Sequence, residues 1–123
     1  MQIETVDPRT ANVEDYHPVF QVRDWYSPDE QSLPTAEISY EFTDASIWDV
    51  LKWVREPRTP APAVSYLWVM YPYPNGGRTR ICIGALEHGD GHRVEVLHGY
   101  LPEPDTDEGL AYFIHMYSGD GPA

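Results

Sequence analysis

The sequence holds a single cysteine, Cys82, and a single lysine, Lys52. One thiol excludes an internal disulfide and gives no sign of an oxidising compartment. Bases are scarce altogether: eight Lys and Arg stand against 20 Asp and Glu, for a formal charge of −12. A field of that sign repels nucleic acid and anionic lipid and attracts basic surfaces, although it also serves plain solubility. No apolar run approaches the roughly 20 residues that a membrane span needs. The start, Met-Gln-Ile-Glu-Thr-Val-Asp, lacks the basic and apolar regions of a secretory signal, which points to the cytoplasm. Gly-x-Ser-x-Gly and His-Glu-x-x-His do not occur. The glycine-rich stretch Pro74-Asn-Gly-Gly77 leads into a strand, whereas a phosphate site needs a helix start.

What is present is enough for a core. Of the 123 residues, 41% are apolar and 13% aromatic, which suits one domain over residues 1–123. Residues 1–16 and 118–123 have little periodicity and read as loosely ordered ends. The most informative stretch is Ala63–Tyr100, a three-stranded antiparallel meander. Its first run, Val64–Tyr71, is apolar on both faces, as in a central strand, and Trp68 is expected between helix and sheet. Asn75-Gly76 supplies a hairpin turn. In the next run, Arg78–Leu86, alternation puts Thr79, Ile81, Ile83 and Ala85 on one face. Gly89-Asp-Gly91 turns the chain into a third run, His92–Tyr100.

Upstream, His17–Tyr26 and Ala36–Phe42 alternate as strands, with Ile38, Tyr40 and Phe42 facing in. Asp44 or Ser46 can cap a helix whose stripe is Ile47, Val50, Leu51 and Val54, ended by Pro57. Leu110–Tyr117 also alternates and reads as a last strand. The expectation is an α+β fold: an antiparallel sheet of five to six strands, meandering, with one main helix packed on a face.

Candidate chemistry is sparse. His88, Asp90 and His92 could converge on a metal in a tight turn, but Asp90 between glycines is also ordinary turn chemistry. Cys82 in reach of His98 or His115 could be a nucleophile, but a thiol mid-strand between Ile81 and Ile83 is more simply a small apolar filler. No cofactor and no resident metal are expected. Two features remain. The acids Glu103, Asp105, Asp107 and Glu108 crowd one loop, with Asp90 in another. The aromatics Trp53, Tyr71 and Tyr73 lie at element ends, where rings beside carboxylates suit a surface that grips an Arg/Lys-rich partner.

The element order resembles one family of immunity proteins from bacterial polymorphic toxin systems. The matching parts are Ile38-Ser-Tyr-Glu-Phe42, Ile47-Trp-Asp-Val-Leu-Lys-Trp-Val54, the strand Ala63–Tyr73, Arg80-Ile-Cys-Ile-Gly-Ala85, Val94-Glu-Val-Leu97 and Ala111–Gly119, over residues 36–119. The resemblance implies a cytoplasmic, non-enzymatic inhibitor that covers the active site of a toxin, commonly a nuclease or deaminase with a basic cleft. The residues themselves point to an acidic binding protein that neutralises a basic protein partner, without nucleic acid or membrane as ligand. Two alternatives stand beside it: a small cyclase, isomerase or hydrolase with an aromatic-lined pocket using His98 or His115, and a phage or accessory protein that mimics nucleic acid.

Overall fold

A computed structural model describes residues 1–5, 18–29, 32–72, 78–89 and 94–117. Five strands and two helices run in the order β1 (Phe20–Tyr26), β2 (Ala36–Phe42), α1 (Ile47–Arg55), β3 (Val64–Pro72), β4 (Arg78–Glu87), β5 (Val96–His98) and α2 (Asp107–Tyr117). The strands form one antiparallel sheet in the order β2-β1-β3-β4-β5, so the fold is α+β. Leu110–Tyr117 is therefore helix, not strand. Every residue there is apolar or aromatic except His115, so alternation carried no information, and the start of the segment decides. Thr106 Oγ1 accepts the amide of Gly109, and Asp107 and Glu108 occupy the first turn, where the helix dipole favours negative charge.

The two helices cover opposite faces of the sheet. On one face, Val50 and Val54 of α1 pack on Phe20, Val22, Leu67 and Leu86. Ser46 opens α1 with a reciprocal cap: its hydroxyl accepts the Asp49 amide and the Asp49 carboxylate accepts the Ser46 amide. On the other face, Phe113 of α2 joins Trp25, Val64, Tyr66, Ala85 and Leu101. β3 supplies both cores, and Val64, Ser65, Tyr66 and Leu67 are all buried, as expected of a central strand.

One irregularity changes the expected facing. Leu67 pairs with Gly84 but Trp68 pairs with Cys82, leaving Ile83 as an extra residue. The bulge reverses the parity of β4. Ile81 stays opposite Val69 on the α1 face, whereas Ala85 lies opposite Tyr66 on the α2 face. Trp68 likewise sits on the α2 face, half-buried, with the Arg80 guanidinium 4.6 Å from its ring centroid. It is not between α1 and the sheet. The third run is also shorter than expected: of its described residues, 94–100, Val96–His98 is strand. The Asn75-Gly76 turn lies outside the described residues. No helix among the described residues is long and apolar enough to cross a membrane.

Candidate functional site

Because α1 lies over β1, β2 and β3 and reaches β4 at Leu86, the same face of the sheet is left open over Ile81 and Ile83 of β4 and over β5. Trp53 fixes that offset by packing edge-on against Tyr40 and Phe42 of β2, at 4.9 and 5.0 Å between centroids. A half-open cavity of about 340 Å³ results. Its walls are mainly aliphatic, with Ile47 and Leu51 from α1, Leu67 from β3, Ile83 and Leu86 from β4, and Leu97 from β5, and Arg55, Ser65 and His98 are also among the lining residues. Gly84 keeps its floor low, and a Cβ there would come within 3.1 Å of the His98 carbonyl oxygen. Ile81, Ile83 and Leu97 are 52, 43 and 66% exposed. Trp48, 76% exposed, stands three residues before Leu51 and seven before Arg55, on the same side of the helix.

Beneath the cavity, Ser65 belongs to a buried polar cluster. Its hydroxyl donates to Asp24 Oδ1 at 2.5 Å and lies 2.7 Å from His88 Nε2. Asp24, fully buried, also pairs with Arg58 at 2.7 Å. A serine, a histidine and an aspartate invite comparison with a nucleophilic triad, but the order is wrong. Serine, not histidine, is the middle member, and its one proton goes to a carboxylate already neutralised by Arg58. His88 must then donate through Nε2 and cannot accept the serine proton. Arg58 completes the arrangement by donating to the carbonyls of Trp53 and Val54 at 3.0 Å and lying over the Trp53 ring at 4.2 Å. The cluster ties the end of α1 to the middle of the sheet.

Burial pushes the His88 imidazole below its ordinary value, Arg58 adds to the shift, and Asp24 and Glu95 oppose it. The unfolded chain therefore takes up this proton near pH ~6.5, and the folded chain only at lower pH. Stability should be complete above about pH 6.5 and should fall as pH drops from there toward the folded value. Thermal melts of His88→Gln, which keeps a donor for Ser65, should lose part of the decline that wild type shows between about pH 7.5 and 5.5. Parallel curves for the two proteins would mean that His88 is not the group responsible.

The acidic loop divides. Glu103 is not at the surface: its carboxylate accepts from Arg23 at 2.8 and 2.9 Å and from Trp25 Nε1 at 2.8 Å. Tyr66 donates to the neighbouring Pro102 carbonyl at 2.9 Å, and burial pushes its phenol well above the usual value. Glu103 is thus a pin holding the loop to the sheet. Asp105, Asp107 and Glu108 are exposed, and the first turn of α2 accounts for Asp107 and Glu108. Tyr100, 75% exposed, donates to Glu108 at 3.3 Å.

The expected aromatics are scattered. Trp53 is part of the core around α1, Tyr71 is 56% exposed, and Tyr73 and Asp90 lie outside the described residues. His98 is held by Glu87 at 2.7 Å, and Tyr112 of α2 donates to the same carboxylate. Burial pushes the Cys82 thiol up, which disfavours the thiolate that a nucleophile needs. Among the described residues no group of three or more His, Cys, Asp and Glu side chains is placed to hold a metal; His92 and Asp90 are outside them. The cavity beside α1 was missed in the sequence because it arises from where a helix is offset, which no local pattern encodes. No known protein family, curated protein or solved structure matches the chain.

Proposed function

We propose that the chain is an acidic, non-enzymatic binding protein that covers the working face of a basic protein. The mode is that of an immunity protein blocking a nuclease- or deaminase-type toxin in the bacterial cytoplasm. One observation carries the reading: an exposed apolar surface occurs on a chain of net charge −12, two of whose arginines, Arg23 and Arg58, are turned inward to carboxylates. Arg23 serves Glu103 and Arg58 serves Asp24, while Arg55 pairs with Glu95 at the surface, and the excess of 20 acids over eight bases sets the sign of the outer field. Apolar area gives affinity and the field gives rate and partner choice. A nucleic-acid mimic would share the charge but has no use for Trp48, Ile83 and Leu97. A cyclase, isomerase or hydrolase draws less support, because the cavity walls are mainly aliphatic and the His98 ring packs on Tyr112 of α2, at the other face of the sheet.

The experiment is capture of partners from source lysate at low and at high salt, followed by assay of the captured protein with and without this chain. A stoichiometric basic protein is expected, released above a few hundred millimolar salt, where the Debye length falls below about 8 Å, and inhibited while bound. An acidic partner, or a complex indifferent to salt, would remove the electrostatic half of the proposal.

A further inference from the structure

We infer that the outer edge of β2 takes up an extended segment of the basic partner as an added strand. Its Lys or Arg side chains would lie on the face of Glu37 and Glu41, and its apolar side chains on the face of Ile38 and Tyr40. This rests on the proposed function and adds to it a contact apart from the cavity beside α1. β2 ends the sheet, with β1 as its neighbour, and none of its residues is buried. The backbone bonds fix which groups it presents. The carbonyls of Val19 and Trp25 accept from Met70 and Ala63, beside β3, whereas that of Tyr26 accepts from Thr35, beside β2. Even residues of β1 therefore bond to β2, and by the register their partners are Ala36, Ile38, Tyr40 and Phe42. The N–H and C=O groups of Glu37 and Ser39, between those partners, point out of the sheet.

Three observations select the occupant. Outward amides and carbonyls in a row are matched by another extended backbone. Proteins blunt such an edge by shortening it, bulging it or placing Lys or Pro on it. β2 has none of these, and its register with β1 runs unbroken from Ala36 to Phe42. Charge comes next. The strand carries two acids and no base, and Glu37 shares the Arg23 guanidinium, at 3.4 Å, with Glu103, at 2.8 Å, so this face stays negative. A second β2 paired antiparallel about Ser39 would set Glu37 opposite Glu41, like charge against like. On the other face Ile38 is 48% exposed and Tyr40 packs edge-on against Trp53. An apolar side chain on a strand about 4.8 Å further out would extend that apolar row. A segment alternating cationic and apolar residues meets all three demands.

The test uses the whole chain and three synthetic peptides of the length of β2: alternating Lys and Val, alternating Glu and Val, and the Lys/Val peptide N-methylated throughout. Binding is measured by calorimetry, and amide hydrogen exchange is followed residue by residue. In the free chain the amides of Glu37 and Ser39 should exchange much faster than those of Ile38 and Tyr40, and the Lys/Val peptide should slow them about tenfold or more. The Glu/Val and N-methylated peptides should bind at least about tenfold more weakly. Ser39→Pro removes one outward donor, which an edge strand tolerates. The melting temperature should therefore stay within a few degrees while the Lys/Val peptide is weakened to the same extent. Glu37 and Ser39 amides already slow in the free chain would mean that the edge is taken within the molecule. An N-methylated peptide that binds equally well would reduce the effect to charge alone. Either result, or no binding of the Lys/Val peptide, overturns the inference and leaves the basic-partner reading standing. Equal binding of the Lys/Val and Glu/Val peptides would overturn that reading as well. A concentration-dependent dimer in sedimentation, abolished by Ser39→Pro, would give the edge to a second copy and sink the inference.

Discussion

Replacing Arg58 with Met is expected to cost the folded chain about 3–5 kcal/mol, a large share of the roughly 5–15 kcal/mol that holds a domain together. The reason is what the change leaves behind. Asp24 is fully buried, and Arg58 is the cation that faces it, at 2.7 Å. Met fills much of the same space but gives the carboxylate no countercharge, and Ser65 and Tyr26 can supply only neutral hydrogen bonds. The carbonyls of Trp53 and Val54 at the end of α1 lose their donor as well. Two independent losses thus fall on one contact between helix and sheet. Urea denaturation measures the cost, and the Asp24→Asn/Arg58→Met double variant identifies its origin. Removing the stranded charge should recover part of the loss, giving a coupling of about 1–3 kcal/mol in the cycle. A single variant that loses under about 1 kcal/mol would mean that Asp24 reaches water and that the cluster is not a pin.

That cluster was only faintly legible in the sequence. Residues 24, 58, 65 and 88 are far apart along the chain, and Arg58-Thr-Pro-Ala-Pro62 reads simply as a stiff connector. The available signal was parity: Asp24 shares the inward phase of Phe20 and Val22, and an acid placed inward on a strand calls for a partner. Where a local pattern sufficed, it was read correctly. The bounds of β2, the α1 stripe with its Ser46 cap and the doubly apolar β3 lie where periodicity and capping placed them, but Ile38, expected to face in, is 48% exposed, because only Tyr40 and Phe42 of β2 meet Trp53 of α1. Alternation failed at the bulge, because Ile83 adds one residue and no residue type announces it. It failed again over Leu110–Tyr117, where a uniformly apolar run fits either period.

The candidate site shows the same division. Four acids in six residues look like a single charged surface when only spacing is known. Burial separates them: Glu103 turns inward to Arg23 and Trp25, and the others stay outside. Repulsion within the loop is therefore not a sufficient reason to expect a partner there, since Glu103 is paired and the α2 dipole accommodates Asp107 and Glu108. Neutralising all four acids would unpin the loop rather than relieve it. The cavity beside α1, by contrast, depends on Trp53 packing with β2 and drawing α1 away from β5, a tertiary fact with no signature in sequence.

Gly109→Ala sets two effects of opposite sign against each other, and their sizes decide the outcome. Within a helix, alanine is favoured over glycine by about 1 kcal/mol, so propensity alone predicts a gain. Gly109, however, is buried in the first turn of α2 directly against the chain at Pro102 and Glu103. A Cβ there would collide with the carbonyl oxygens of both residues, which are backbone atoms and cannot swing aside like the end of a side chain. The same backbone is fixed from below, since Tyr66 holds the Pro102 carbonyl and Arg23 holds the Glu103 carboxylate. Relief must come from lifting the start of α2, which loosens Phe113 and Leu101 in the core of that face. Overpacking of this kind costs about 1–3 kcal/mol and more when the backbone must move, so the net expectation is a loss near the top of that range. Ala111→Gly, at an exposed site in the same helix, isolates the propensity contribution and should cost about 1 kcal/mol. Thermal melts of the two variants beside wild type read both numbers. A Gly109→Ala protein more stable than wild type would show that α2 does not rest on the 102–103 backbone, and the placement of the second helix would fall with it.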